Sequence, residues 1–275
     1  MSKTIGVIGL GIIGSVWARH YEAAGVLAGA WNRRPQANFP RWRPNAGAVV
    51  DSADVVQIVV SDPPAVEAIL HAILPRLAPG KTVIQSSTID PDSSERFGGL
   101  VEAAGARYLE APFVGSRPAA EDRRNIFYLG GGLQDAKEVE PLLSLISERR
   151  YQVGTWRQAA TLKLAMNLNV ALQMAALGES MALARHANIS DNTYFEVLEK
   201  NVSYSPLVKL KEPSLRRGDY SPQFSIKHML KDMRLARGTM KPESLPQLDA
   251  VCERLQRAEV AGLGDEDFSA LVKVM

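Results

Sequence analysis

Cysteine is almost missing from this chain. Cys252 is the single one among 275 residues, so no disulfide closes within the chain and a cysteine-based metal site has too few ligands. Histidine is sparse as well. His20, His71, His186 and His228 are scattered, without the spacing of metal ligands. An excess of either charge is also lacking. Thirty-two basic residues face 30 acidic ones, and a net charge of +2 gives no general attraction for nucleic acid or for a membrane surface. No apolar run is long enough to span a bilayer. The apolar stretch Ile5–Ile13 is short, broken by glycines, and has neither a basic leader nor a cleavage site. These absences lead to the expectation of a soluble, cytoplasmic protein. What remains is ordinary globular composition, 46% apolar and 23% charged, in a chain long enough for two domains.

The first half alternates between two kinds of segment. "TIGVIGL" (Thr4–Leu10), "VLAGAWN" (Val26–Asn32), "VVQIVV" (Val55–Val60), "TVIQSS" (Thr82–Ser87), "RYLEAP" (Arg107–Pro112) and "IFYLGG" (Ile126–Gly131) read as strands. Helical segments over Gly14–Ala24 and Pro64–Leu77 separate the early ones, and further helices separate several of the later ones. Such alternation predicts an α/β domain, a doubly wound and mostly parallel sheet. After about Gly154 the pattern changes. Gln158–Ala187 holds no proline and one glycine, and reads as one long helix. Leu162, Ala165, Met166, Leu168, Asn169, Leu172, Ala176 and Leu177 are expected on its apolar face. Helical segments follow over 191–200, 207–216, 225–237, 245–258 and near 265–275. The expected division is a Rossmann domain over 1–155 and an all-α domain over 156–275, entered through the long helix. The apolar C-terminal helices are expected to make a subunit interface, because a long helix with so broad an apolar face needs more cover than one small domain supplies.

"GLGIIG" places Gly9, Gly11 and Gly14 in the G-x-G-x-x-G spacing, after a strand and at the opening of a helix. Gly9 permits the tight turn, Gly11 lets backbone approach a pyrophosphate, and Gly14 lets helix and strand pack closely. The helix start, with Ile12 and Ile13, then turns free N–H groups toward the phosphates. A packing turn would need the same glycines; the strand before and the helix after favour a dinucleotide. "WNRR" lies where a carboxylate would hold both ribose hydroxyls of NAD. Here stand Asn32, Arg33 and Arg34, with donors and charge suited to a 2′-phosphate, so NADP(H) is the expected cofactor and Arg33 its first clamp. The alternative is a solvated basic turn.

The chain resembles the β-hydroxyacid dehydrogenases at six places in order: "IGVIGLGIIG", "SSTIDP" (Ser86–Pro91), "EAPFVGSRPAAED" (Glu110–Asp122), "KLAMN" (Lys163–Asn167), "FSIKHMLKDMRLA" (Phe224–Ala236) and "GLGDEDFSAL" (Gly262–Leu271). The resemblance covers nearly the whole chain. It implies hydride transfer between NADP(H) and a small carbonyl or β-hydroxy acid, in a homodimer or homotetramer with a small-molecule substrate and no metal. It implies that Val60, Ser61, Ser87, Thr88 and Lys231 join the cofactor set, that Val114, Gly115 and Ser116 grip substrate, and that Lys163 and Asn167 are catalytic. For Ser87 and Thr88 a turn-capping role competes, and for Lys231-Asp232 an ordinary helix ion pair. Lys163 and Asn167 are i and i+4, on one helix face. A cationic lysine there would give a proton to the oxygen that receives charge as hydride arrives; neutral, it would take the alcohol proton.

Four departures from the family pattern stand out. Val114 replaces a frequent Ser, Gln158 a frequent Gly, Gln85 a frequent Asp, and Arg123-Arg124 the usual small turn. Val114 suits a bulkier carbonyl or an imine better than a small hydroxy acid, so imine or bulky-ketone reduction is the second reading. A non-catalytic dinucleotide-binding scaffold is the third, and the pair Lys163 and Asn167 argues against it.

Overall fold

The computed structural model describes residues 3–275. The chain divides into two compact units, one ending at Lys163 and the other running from Leu164 to Met275.

The first unit is built around one sheet. Its elements are β1 (Ile5–Ile8), α1 (Gly14–Ala23), β2 (Leu27–Trp31), α2 (Ala46–Ser52), β3 (Val55–Ile58), α3 (Pro63–Ile73), β4 (Thr82–Gln85), α4 (Pro91–Ala103) and β5 (Arg107–Glu110). Then come β6 (Phe113–Val114), α5 (Arg117–Glu121), β7 (Asn125–Gly130), α6 (Leu133–Leu143) and β8 (Ser147–Gly154). The strand order is β2-β1-β3-β4-β5-β7-β6, with β8 paired to β7. β2, β1, β3, β4 and β5 are mutually parallel. β7 runs antiparallel to β5 and β6, and β8 parallel to β7. This is the doubly wound, mostly parallel sheet that the alternation predicts.

Side chains leave the strands alternately toward two cores. Ile5, Val7, Val55, Ile84 and Leu109 enter one with Trp17 and Tyr21. Ile8, Val56, Ile58, Val83 and Tyr108 enter the other with Leu70 and Phe97. A sheet covered on both faces requires the continuous apolar runs seen in its strands. The one polar residue within "VVQIVV" is satisfied: Gln57 accepts from Tyr21 Oη at 3.0 Å and donates to Ser86 Oγ at 3.0 Å.

The element boundaries expected from the sequence need correction at three places. The helix expected over 64–77 ends as α3 at Ile73 and tightens into a 3₁₀ turn, Leu74–Arg76, because Pro75 has no N–H to continue the ladder. β8 was not among the expected strands. Its sequence, "SERRYQVG", is charged and its outer residues are exposed, as befits a strand with only one neighbour. The segment expected as a helix near 265–275 forms a 3₁₀ helix, Phe268–Val274, behind Asp267, whose carboxylate accepts the Ser269 N–H at 3.1 Å.

α7 (Trp156–His186) starts in the first unit and continues into the second, 31 residues and roughly 46 Å at 1.5 Å per residue. Its start is a capping box: Gln158 Oε1 accepts the Thr155 N–H at 2.8 Å, and Thr155 Oγ1 accepts the Gln158 N–H at 3.3 Å. That is what Gln158 does in place of glycine. The buried face of α7 runs through Ala160, Lys163, Leu164, Asn167, Ala171, Met174 and Met181. The expected apolar face is therefore corrected: Ala165, Met166, Asn169 and Ala176 are exposed, and Leu162, Leu168 and Leu172 are half-buried. A helix apolar on several sides offers more than one seam, and packing selects among them.

The second unit adds α8 (Asp191–Leu198), α9 (Pro206–Arg217), α10 (Ile226–Thr239) and α11 (Pro246–Ala258). Met174, Met181, Phe195, Met229, Met233, Leu255 and Phe268 share its core. A buried ion pair closes it. Lys211 Nζ meets Asp267 Oδ1 at 2.8 Å, and the other oxygen of Asp267 accepts the N–H groups of Gln223 and Phe224 at 3.1 and 3.2 Å. With those bonds made, the buried charges are satisfied rather than stranded.

Candidate active site

Chain direction along the sheet reverses at β1. β2 lies on one side of it and β3 on the other, and in such sheets ligands bind beyond the carboxyl ends of the strands at this point. The glycine turn lies there. Gly9 has φ +105°, and a Cβ on it would stand 2.1 Å from the Val59 carbonyl oxygen. A Cβ on Gly14 would stand 1.9 Å from the Gly9 carbonyl oxygen, so those two glycines are demanded by packing. Gly11 is different. A Cβ there would meet no atom within 4 Å, so the fold itself has no need of glycine at this place. The helix that follows also differs from the three helices after it. Asn45, Asp62 and Asp90 cap α2, α3 and α4, whereas no side chain caps α1. An approachable backbone at a helix start without a side-chain cap fits a pyrophosphate.

The flanking loops are tied to this turn. The Leu10 N–H donates to Asn32 Oδ1 at 3.1 Å, and Asn32 Nδ2 donates to the Arg34 carbonyl at 3.1 Å. Asn32 thus spends its amide on joining the turns after β1 and β2. Arg33 and Arg34 are exposed, and neither forms an ion pair among the described residues. A cleft of about 500 Å³ beside the turn is lined by Leu10, Ser15, Arg19, Gln36 and Phe39, among others. On the other side of β1, the Val60 N–H donates to Ser87 Oγ at 2.8 Å, which joins the loops after β3 and β4. Ser61 is exposed beside Val60, and Thr88 is half-buried beside Ser87.

The segment Val114–Ser116 follows a sharp bend. Gly115 has φ +121°, and a Cβ on it would lie 2.4 Å from Asn125 Nδ2. Asn125 holds this bend: Nδ2 donates to the Val114 carbonyl at 3.3 Å while Oδ1 accepts from the Trp17 indole at 2.8 Å. Phe113 packs edge-on against Trp17, centroids 4.6 Å apart. The ammonium of Lys163 lies 5.9 Å from the Phe113 ring centroid, at the outer reach of a cation–π contact. Lys163 is 8% exposed and Asn167, one turn further along α7, is 7% exposed. A lysine so buried in an apolar helix stretch is not a solvated surface residue. Asn167 Nδ2 donates to Asp232 Oδ2 at 2.6 Å, and Lys231 Nζ pairs with Asp232 Oδ1 at 2.8 Å. Asp232 itself is 1% exposed.

The sequence patterns of two family domains match this chain. That of the NAD-binding domain of 6-phosphogluconate dehydrogenase matches residues 4–154. That of the NAD-binding region of NADP-dependent 3-hydroxyisobutyrate dehydrogenase matches 158–275. The chain belongs to the β-hydroxyacid dehydrogenase family. Glyoxylate/succinic semialdehyde reductase 1 of Arabidopsis thaliana is 29% identical over 98% of this chain and 98% of its own. The chloroplastic reductase 2 of the same plant is 29% identical over 99% of this chain and 79% of its own. Among solved structures, the 3-hydroxyisobutyrate dehydrogenase of Salmonella typhimurium superposes with a TM-score of 0.89 at 26% identity, over 99% of this chain and 100% of its own. The present dehydrogenase is accordingly a nicotinamide-dependent oxidoreductase acting on CH–OH or carbonyl groups of small molecules. No helix among its described residues is long and apolar enough to cross a membrane.

Several residues around this site escaped the sequence reading. Trp17 and Asn125 carried no motif. Glu110 lies within a motif that assigns it no role, and Gln85 stands out only as a departure from a frequent Asp. A signal did exist for one of them: a Gln where the family often has Asp, at the end of a buried strand, calls for a partner that accepts a hydrogen bond.

Proposed function

We propose that this dehydrogenase uses NADP(H) to interconvert a small semialdehyde or keto acid and its hydroxy acid, with Lys163 as general acid and base. The observation that carries the reading is Lys163 itself, buried on α7 one turn from Asn167. Nicotinamide supplies or accepts the hydride when the cofactor is bound. The Gly9–Gly14 turn would hold its pyrophosphate, and Arg33 and Arg34 its 2′-phosphate. Their exposure without ion-pair partners supports that use, since an arginine fork needs no prior bond broken to take a phosphate. Val60, Ser61, Ser87, Thr88 and Lys231 complete the cofactor set. In reduction, protonated Lys163 gives its proton to the carbonyl oxygen as negative charge develops there. In oxidation, neutral Lys163 takes the hydroxyl proton. Asn167 orients the substrate through its amide, which Asp232 holds in one rotamer. Val114, Gly115 and Ser116 contact the far end of the substrate. The names of the Arabidopsis reductases support a short aldehyde as substrate. The working assembly is a dimer or tetramer in the cytoplasm, and the functional division falls at 155/156, where α7 begins.

The test is cofactor oxidation by purified enzyme with glyoxylate, short semialdehydes, larger ketones and cyclic imines, each with NADPH and NADH. The expected result is turnover of a short aldehyde with NADPH. Lys163→Ala should lower kcat by roughly 10²–10⁴ while NADPH affinity stays within about twofold. Turnover of imines alone, or full activity in Lys163→Ala, contradicts the reading.

A further inference from the structure

The carboxyl end of the sheet holds a second buried group that the hydride chemistry does not use. Glu110 ends β5 and is fully buried. Gln85 Nε2 donates to its Oε1 at 2.8 Å. Its Oε2 lies 2.6 Å from Ser94 Oγ and 2.7 Å from Tyr108 Oη. Gln85, Ser94 and Tyr108 are each at most 1% exposed, so the whole cluster is shut off from water.

Gln85 passes this arrangement on. Its Oε1 accepts the N–H of Ser87 at 2.6 Å, and its Nε2 also donates to the Ser87 carbonyl at 2.8 Å. One side-chain amide therefore binds both polar groups of the Ser87 backbone and Glu110 as well. A carboxylate at position 85 could accept from the Ser87 N–H, but it has no proton for the Ser87 carbonyl, which the amide of Gln85 supplies while also reaching Glu110. The departure from the frequent Asp is thus matched to Glu110. With the Ser87 backbone fixed in this way, its hydroxyl oxygen is left to receive the Val60 N–H.

We propose that Glu110 is a positioning residue of this dehydrogenase: acting through Gln85, it sets the Ser87 loop and, through the Ser87 hydroxyl, the Val60 loop, which together carry the cofactor-facing residues beside the glycine turn. The proposal rests on the assignment of Val60, Ser61, Ser87 and Thr88 to the cofactor. Burial favours a neutral acid at Glu110. A neutral acid suits the geometry: the carbonyl oxygen receives Gln85, and the hydroxyl side faces two hydroxyls that can each donate or accept. A Gln at 110 offers the same carbonyl and keeps donors toward Ser94 and Tyr108.

The experiment compares Glu110→Gln, Glu110→Leu and Gln85→Met in the full-length enzyme. NADPH affinity is read by nucleotide fluorescence, which needs no turnover, and steady-state constants are measured alongside. Glu110→Leu and Gln85→Met should weaken NADPH by about tenfold, the scale of one lost buried hydrogen bond, and leave KM for the aldehyde within about twofold. Glu110→Gln should keep NADPH affinity and KM near wild type. Gln85→Met keeps side-chain volume and leaves Glu110 with its two hydroxyl partners, so it serves if Glu110→Leu fails to fold. Wild-type NADPH affinity in folded Glu110→Leu or Gln85→Met overturns the proposal, and so does equal damage by Gln and Leu at 110. Failure of the functional reading looks different: the wild-type enzyme would bind NADPH and turn over no aldehyde.

Discussion

Trp17 and Asn125 lie 108 residues apart in sequence, and the indole N–H of the first donates to the side-chain oxygen of the second at 2.8 Å in a fully buried contact. The bond joins α1, whose start forms part of the glycine turn, to the strand that holds the Gly115 bend. Asn125→Ala leaves the indole N–H unpaired and frees the Val114 carbonyl. A stranded buried donor costs roughly 1–3 kcal/mol, so the urea midpoint should fall with m unchanged. An unchanged midpoint would mean the bend is held by packing alone.

The last two glycines of the turn, Gly11 and Gly14, should separate fold from function. Gly14→Ala drives a Cβ to 1.9 Å from a backbone oxygen and should lower the melting temperature together with cofactor affinity. Gly11→Ala meets no protein atom, so its melting temperature should stay near wild type while NADPH binding weakens by at least about tenfold, as expected where bare backbone must approach a pyrophosphate. Equal thermal loss in both variants would contradict the distinction.

Arg33 and Arg34 should decide between the two nicotinamide cofactors. On the proposed role of Arg33, Arg33→Ala removes a charged donor to the 2′-phosphate, a contact of roughly 1.5–3 kcal/mol, so KM for NADPH should rise about 10- to 100-fold. KM for NADH should hardly change. Added salt should weaken NADPH binding to wild type more than to Arg33→Ala, because exposed charges are screened. Parallel loss with both cofactors would return "WNRR" to the solvated-turn reading.

Glu110 should make stability depend on pH. Burial pushes its carboxyl from 4.5 up to about 8, with the nearby Asp90 carboxylate adding to the rise. Between those values the native protein holds a proton that the unfolded chain has released. The resulting stabilisation is complete below pH 4.5, declines as pH rises, and is gone above about 8, with a slope of at most about 1.4 kcal/mol per pH unit. Chemical unfolding of wild type and Glu110→Gln across that range should show this slope in the first minus the second. A difference that stays flat, or one that grows with pH, would show the carboxyl to be ionised in the native state.

Much of this protein was written in local pattern. Strand–helix alternation follows from the two faces of a covered sheet, and that periodicity is visible residue by residue. The glycine turn, the "WNRR" sequence and the spacing of Lys163 and Asn167 are local as well, because each sits within one turn or one helix. β8 was hidden because a charged edge strand lacks an apolar pattern, and its one partner lies across a helix in sequence. The buried seam of α7 was hidden for the opposite reason: apolar residues on several sides left local pattern with no preference. Only tertiary structure decided which polar side chains meet. Glu110 and Gln85 are 25 residues apart, Trp17 and Asn125 108, and Asn167 and Asp232 65. Buried polar groups must find partners, and that demand is met by whichever strands and helices the topology brings together, which no stretch of sequence records alone.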